Sequence, residues 1–169
     1  MNLYNRLGFL VLGSRLRRLS EVYLSEIKQA YAGEGIDFDA SWFPVFYLLS
    51  ESKELSIKEL SEQIEVSHPA ASQLITTLKN KGLVNTRTAK DDGRKQLVSL
   101  TKAGLALLQK VKPVWGAIKL SMDELVNSNN QGDQLLQAIA TLESAFQSVN
   151  LAANIRANLV KQSNLVHHE

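Results

Sequence analysis

The chain has 169 residues, enough to bury one core or a small domain with a helical extension, and a formal net charge of only +2. It contains no cysteine, which excludes disulfide bridges, thiolate metal sites and thiol redox sensing within these residues. No stretch approaches the run of about 18 apolar residues that a membrane-spanning helix requires, and the opening apolar patch, Leu7 to Leu12, runs straight into charge without a small-residue cleavage pattern. A soluble, cytoplasmic protein is expected.

The first element is a long amphipathic helix from about Leu3 to Tyr31. Leu12, Leu16, Leu19, Tyr23, Ile27 and Ala30 recur at helical spacing, and Arg15, Arg18, Glu21, Glu26 and Gln29 fall on other faces. Gly33 and Gly35 end it. A second helix starts near Asp39 or Ser41, either of which can cap it, with Pro44 in the first turn where a missing amide costs little. Trp42, Phe43, Val45, Phe46, Leu48 and Leu49 make this helix apolar around most of its circumference, so it belongs inside. Ser50 to Leu55 is a polar link.

Ser56 opens the next unit, with Glu59 at the spacing of a capping box. A short helix carrying Ile57, Leu60 and Ile64 breaks near Val66 and Ser67. A second, Pro69 to Lys81, carries Leu74, Ile75 and Leu78 and is stopped by Gly82. Two runs of strand character follow, Leu83 to Thr88 and Gln96 to Leu100, joined by the turn-forming Ala89-Lys90-Asp91-Asp92-Gly93. Helix, turn, helix and hairpin make a compact unit whose second helix can enter a major groove. Between Lys79 and Lys112 there are nine Lys or Arg against two acids, Asp91 and Asp92, so the cations are segregated here in a chain that is otherwise near neutral.

Thr101 caps a long helix with an apolar stripe of Leu105, Leu108, Val111, Trp115, Ile118, Met122 and Leu125; Pro113 predicts a kink or a break near Val111. Asn127 to Gly132 is a loop. A last helix, about Asp133 to Leu159, aligns Leu135, Ile139, Leu142, Phe146, Val149 and Ala153, and Gln162 to Glu169 are expected to fray. The three long stripes exceed what so small a head can cover. Pairing two chains through the first and last helices would bury them in an isologous interface and set two recognition helices side by side, suited to half-sites about 34 Å apart.

With these motifs in place, the sequence resembles the MarR family of winged-helix transcription regulators. The resemblance is carried by Asp92-Gly93-Arg94, Lys95 to Ser99 and Leu100-Thr101-Lys102-Ala103-Gly104, by Ser56-Ile57-Lys58-Glu59-Leu60, and by Leu78-Lys79-Asn80-Lys81-Gly82-Leu83-Val84. It implies a mainly α fold with a small β-hairpin wing: a winged helix-turn-helix with long N- and C-terminal dimerisation helices. The implied organisation is a dimerisation helix over residues 1–38, a DNA-binding domain over 39–104, C-terminal dimerisation helices over 105–160 and a frayed tail over 161–169. The implied function is a dimeric, sequence-specific double-stranded DNA-binding regulator, a repressor relieved by a small apolar or aromatic anion, with a pseudo-palindromic site and no cofactor or membrane partner.

Residue by residue, the resemblance places Ser56, Ser67, His68, Ala70, Ser72, Gln73, Thr76, Lys79, Arg87, Lys90, Arg94 and Lys95 at the DNA, and gives Asp92 and Gly93 a structural role in the wing. Gln73 stands in a part of the recognition helix where many members carry Arg, so one phosphate or guanine contact is missing and a shallower salt dependence is expected. The family's Arg after Gly-Leu-Val falls at Thr86, and Arg87 beside it faces the other side of the strand. A ligand crevice would be walled by Arg15, Arg18, Leu19, Tyr23, Trp42, Phe46 and Tyr47, with His68 nearby, a composition usual for pockets and equally usual for a core.

Catalysis finds no support. His68 stands alone, and His167 and His168 lack acids at metal-ligand spacing. There is no glycine-rich phosphate loop, and the serines have no His and acid arrangement to activate them. The alternative from another class is an adaptor that uses the same head to bind protein without specific DNA binding.

Overall fold

The structure, a computed structural model, describes residues 3–89, 92–93, 95–127 and 132–166. Its contacts divide the chain into two compact units, Met1–Ile118 and Lys119–Glu169.

The first unit opens with α1 (Leu3–Leu7), a 3-10 turn (Gly8–Val11) and α2 (Leu12–Gly33). The single helix expected from the apolar periodicity is thus interrupted, and the cause is local: Gly8 takes φ +53, a left-handed conformation that an α-helix cannot accommodate. Gly35, at φ +66, turns the chain after α2. Asp39 caps a 3-10 turn (Ala40–Trp42) by accepting from the Ser41 amide at 2.8 Å, and α3 (Phe43–Glu51) follows with Pro44 in its first turn. The helix α3 is less inward-facing than its composition predicted: Val45, Phe46 and Leu49 are buried, whereas Phe43 and Tyr47 are exposed.

The link expected over Ser50 to Leu55 contains a further strand, β1 (Leu55–Ser56), followed by α4 (Ile57–Ile64), α5 (His68–Asn80), β2 (Val84–Thr88) and β3 (Gln96–Leu100). The three strands form an antiparallel sheet in the order β1-β3-β2, with Ser56 and Arg87 both opposite Leu97 on the central strand. Two residues are too few to show alternation in the sequence, which is why β1 escaped the pattern. The capping box forms in full: the Ser56 hydroxyl accepts from the Glu59 amide, and the Glu59 carboxylate accepts from the Ser56 amide. Glu65 ends α4 at φ 59, and Gly82 ends α5 at φ +70.

Thr101 caps α6 (Lys102–Asn127), its Oγ1 accepting from the Gly104 amide at 3.0 Å. The helix runs through Pro113 without a break. The core of the first unit joins Tyr31, Phe38, Trp42, Val45, Phe46 and Leu49 to Leu60, Ile75, Leu78, Val84, Val98, Leu108 and Val111. Phe38 is its aromatic hub, edge-on to Trp42 and to Phe46. Trp115 Nε1 donates to the Tyr31 hydroxyl at 2.9 Å, and burial raises the Tyr31 pKa despite that bond.

In the second unit, the expected final helix is two: α7 (Gly132–Ser148) and α8 (Leu151–Val166). Asn150 makes the division, its Oδ1 accepting from the Ala153 amide at 3.0 Å as the cap of α8. Helix persists to Val166, past the point where fraying was expected. The loop expected between Asn127 and Gly132 lies mostly outside the described residues, as do His167 and His168. No described helix is long and apolar enough to cross a membrane.

Candidate nucleic-acid interface

The helix α5 divides its surface by spacing. Ala71, Ile75 and Leu78 are buried beneath it, while His68, Ala70, Gln73, Thr76, Thr77, Lys79 and Asn80 stand exposed. Ser67 caps the helix by accepting from the Ala70 amide, leaving the helix entry at the surface. Thr76 and Thr77 turn their hydroxyls back to the main-chain carbonyls of Ser72 and Gln73, at 2.9 and 3.0 Å. The middle of the outward face therefore presents the amide side chain of Gln73, flanked by methyl groups and followed by a cation, Lys79, with a second amide, Asn80, at the helix end. An amide with paired donor and acceptor suits an adenine edge, and a lysine suits a phosphate.

The β2–β3 hairpin stands beside this helix. At its turn end the Ala89 amide donates to the Lys95 carbonyl at 2.8 Å, and the Lys95 amide donates to the Asp92 carbonyl at 3.0 Å. Lys79 Nζ donates to Thr86 Oγ1 at 3.0 Å, tying α5 to the hairpin. A groove of about 720 Å³ between the α5 entry, α4 and the hairpin is lined by His68, Ser72, Glu59, Asp92, Lys95 and Gln96, among others. Lys90 and Arg94 lie outside the described residues.

Two sequence-predicted contacts are engaged elsewhere. Arg87 meets Glu54, its Nε donating to Oε2 at 3.0 Å and its Nη2 to Oε1. Lys95 Nζ meets Glu59 Oε1 at 3.4 Å. Both acids lie before Lys79, outside the window in which the nine cations were counted, so folding brings them onto the basic patch and lowers its local excess. The sequence held no signal for Glu54, which is neither a cap nor part of a motif. Ser56 also requires correction as a DNA contact: it is 3% exposed and its hydroxyl is committed to Glu59. Hydrogen bonds from the Ser56 hydroxyl and amide, with a smaller contribution from Lys95, hold the Glu59 carboxyl at a pKa of about 2.

Among the described residues, those expected to wall a ligand crevice fall in different places. Trp42 and Phe46 are core residues, 6% and 0% exposed. Arg15, Arg18 and Leu19 line an open cleft on α2 with Gly8, Phe9, Leu12, Leu16 and Val22, and Arg18 lies over the Tyr4 ring at 4.6 Å. Tyr23 is exposed, and Tyr47 packs beside Phe43 and Trp115. His68 borders the other groove, beside α5.

Residues 36–95 match the model of the MarR family. The HTH-type transcriptional repressor IacR of Pseudomonas putida is 30% identical over 79 residues, which is 47% of this chain and 47% of that one. The match thus spans about half the length of that relative. The organic hydroperoxide resistance transcriptional regulator of Bacillus subtilis is 23% identical over 150 residues, covering 89% of this chain and 93% of the relative. Among solved structures, a mutant MarR from E. coli complexed with operator DNA superposes with a TM-score of 0.60 at 22% identity, covering 89% of this chain and 99% of that one, a likeness of fold.

Proposed function

We propose that the protein is a dimeric winged-helix regulator of transcription, similar to the MarR family over residues 36–95, that binds a pseudo-palindromic site in double-stranded DNA. The observation that carries this reading is α5 itself: a capped helix with its entry and its Gln73 face exposed, beside a hairpin whose strands and approaches are rich in cations. A polyanion meets hydrogen-bond donors and positive charge on this face, while the apolar side of the helix is held in the core. A solved structure of similar fold, the mutant MarR from E. coli, is complexed with operator DNA, which supports the reading.

The finer proposal is a repressor released by a small apolar or aromatic anion. Its support is the cleft on α2, where two guanidinium groups, Arg15 and Arg18, border the apolar side chains of Phe9, Leu12, Leu16, Leu19 and Val22. Fluorescence anisotropy with DNA selected from random sequence tests both parts. A recovered pseudo-palindrome, bound with a steep dependence on salt and released by an aromatic carboxylate, is the expected result. Failure to enrich any sequence, with only weak binding at low salt, overturns the DNA reading and directs the search to a protein partner for the same head. Selective binding that no such anion relieves overturns the ligand part alone.

A further inference from the structure

The hairpin carries two cations that the resemblance placed at the DNA, and both lie against carboxylates: Arg87 of β2 against Glu54, just before β1, and Lys95 against Glu59 of α4. The Arg87 contact is the more specific. Its two nitrogens address the two oxygens of Glu54, the paired geometry that fixes a guanidinium in orientation as well as in place. Arg87 and Ser56 both sit opposite Leu97, on the outer strands β2 and β1. Glu54 lies just before β1, so the ion pair reaches across the central strand and links the two edges of the sheet. The neighbouring Thr86 turns instead toward Lys79 of α5. Consecutive strand residues face opposite sides, so Arg87 leaves the sheet on the face away from Lys79. The Lys95–Glu59 contact repeats the arrangement at the base of the turn.

On the reading that this head binds DNA, we propose that Arg87 is a positioning residue: through Glu54 it sets the angle of the wing against α4 and α5, and it neutralises no phosphate itself. The two side chains are 52% and 37% exposed, and surface pairs of this kind contribute little to global stability. What a paired guanidinium and carboxylate supply at such a site is direction. The hairpin is held to the rest of the sheet at β1, only two residues long, and the clamp adds a second constraint there.

Arg87→Gln, Glu54→Gln and the exchanged pair Glu54→Arg with Arg87→Glu separate the two roles, measured in the full chain by anisotropy with duplex DNA across a salt series. Each single variant is expected to weaken binding about fivefold without changing the slope of log affinity against log salt, and the exchanged pair to recover most of the loss. A slope shallower by about 0.9 per head, about 1.8 for a dimer on two half-sites, in Arg87→Gln, or an exchanged pair that binds no better than the single variants, overturns the assignment and makes Arg87 a phosphate ligand. Hydrogen exchange of the β2 and β3 amides in the free protein is the second readout. Faster exchange in Glu54→Gln, reversed in the exchanged pair, supports the clamp even if the wild-type chain binds no DNA, an outcome that would remove the DNA reading alone. Unchanged exchange in Glu54→Gln overturns the clamp.

Discussion

Gly104 shows how much a single residue decides at the junction of hairpin and helix. A Cβ built there would stand 2.1 Å from the Leu83 carbonyl oxygen, which is main chain and has no side-chain freedom with which to yield. That same oxygen accepts from the Thr101 amide at 3.0 Å, and Thr101 Oγ1 donates to the Gly82 carbonyl. The helix α6 therefore starts in direct contact with the turn that ends α5. Gly104→Ala is expected to cost about 3 kcal/mol in urea denaturation, the upper end of overpacking penalties, because backbone must move. At the opposite end of the sheet, Ser56 and Glu59 form the reciprocal cap of α4, and Ser56→Ala is expected to cost about 1 kcal/mol. The Glu59 carboxyl is depressed from 4.5 to about 2, so its contribution is complete above the unfolded value and is lost as pH falls between them. In a urea series from pH 7 to pH 2, the stability difference between wild type and Glu59→Gln should stay constant above about pH 5 and then close. A difference that persisted at pH 2 would remove the carboxylate from this role. The capping box was visible in the sequence because its partners are three residues apart; the reason for glycine at position 104 was not, because Leu83 meets it only in the folded chain.

At the scale of elements, the apolar periodicity located the helices and missed the places where one residue cuts them. Gly8 divides the N-terminal helix through a positive φ, and Asn150 divides the C-terminal one through a cap; both sit inside apolar repeats that continue across them. Pro113 does not break the helix, since α6 continues through it. Asn150→Ala is expected to weaken α8 locally by about 1 kcal/mol, seen as faster amide exchange at its first turn with the exchange of α5 unchanged. The helix α5 was the most legible part of the chain. Its stop and most of its apolar stripe follow from short-range spacing: Gly82 ends it and Ile75 and Leu78 are buried, with Leu74 half-buried and Ala71 taking the remaining core position. Its charge was less legible, because Glu54 and Glu59 come to the hairpin from another element. On the DNA reading, placing a cation on the exposed face with Gln73→Arg should steepen the slope of log affinity against log salt by about 0.9 per head, about 1.8 for the dimer, since each head releases one more counterion. An unchanged slope would mean that this face of α5 does not approach the phosphates.

For the molecule as a whole, the unexplained quantity is apolar surface. On α7 and α8, Leu135, Leu136, Ile139, Phe146, Leu151, Ile155, Leu159 and Val160 are all exposed, and on α2 so are Leu16, Leu19, Val22 and Tyr23. Each such side chain contributes about 1.5–3 kcal/mol when fully buried, so stripes of this length favour a partner strongly. The stripes were plain in the sequence, and their exposure in a single chain is what a second copy would relieve. The proposed two-fold dimer would bury the same patch on both chains and carry two recognition helices in a fixed relation. Leu151, Ile155 and Leu159 recur every four residues along one face of α8, in a helix whose other residues are mostly small or polar. Replacing Ile155 and Leu159 together by Glu puts charge in the middle of that face without touching the core of the first unit. Light scattering across a concentration series is expected to show twice the chain mass for the wild type and the single-chain mass for the variant, with the helical circular dichroism of the first unit retained. Binding to a two-half-site duplex should then fall far more than binding to a single half-site, because the loss is of the fixed spacing between heads and not of either head's own contacts. A variant that keeps the doubled mass would mean that the exposed face of α8 is not what joins the chains.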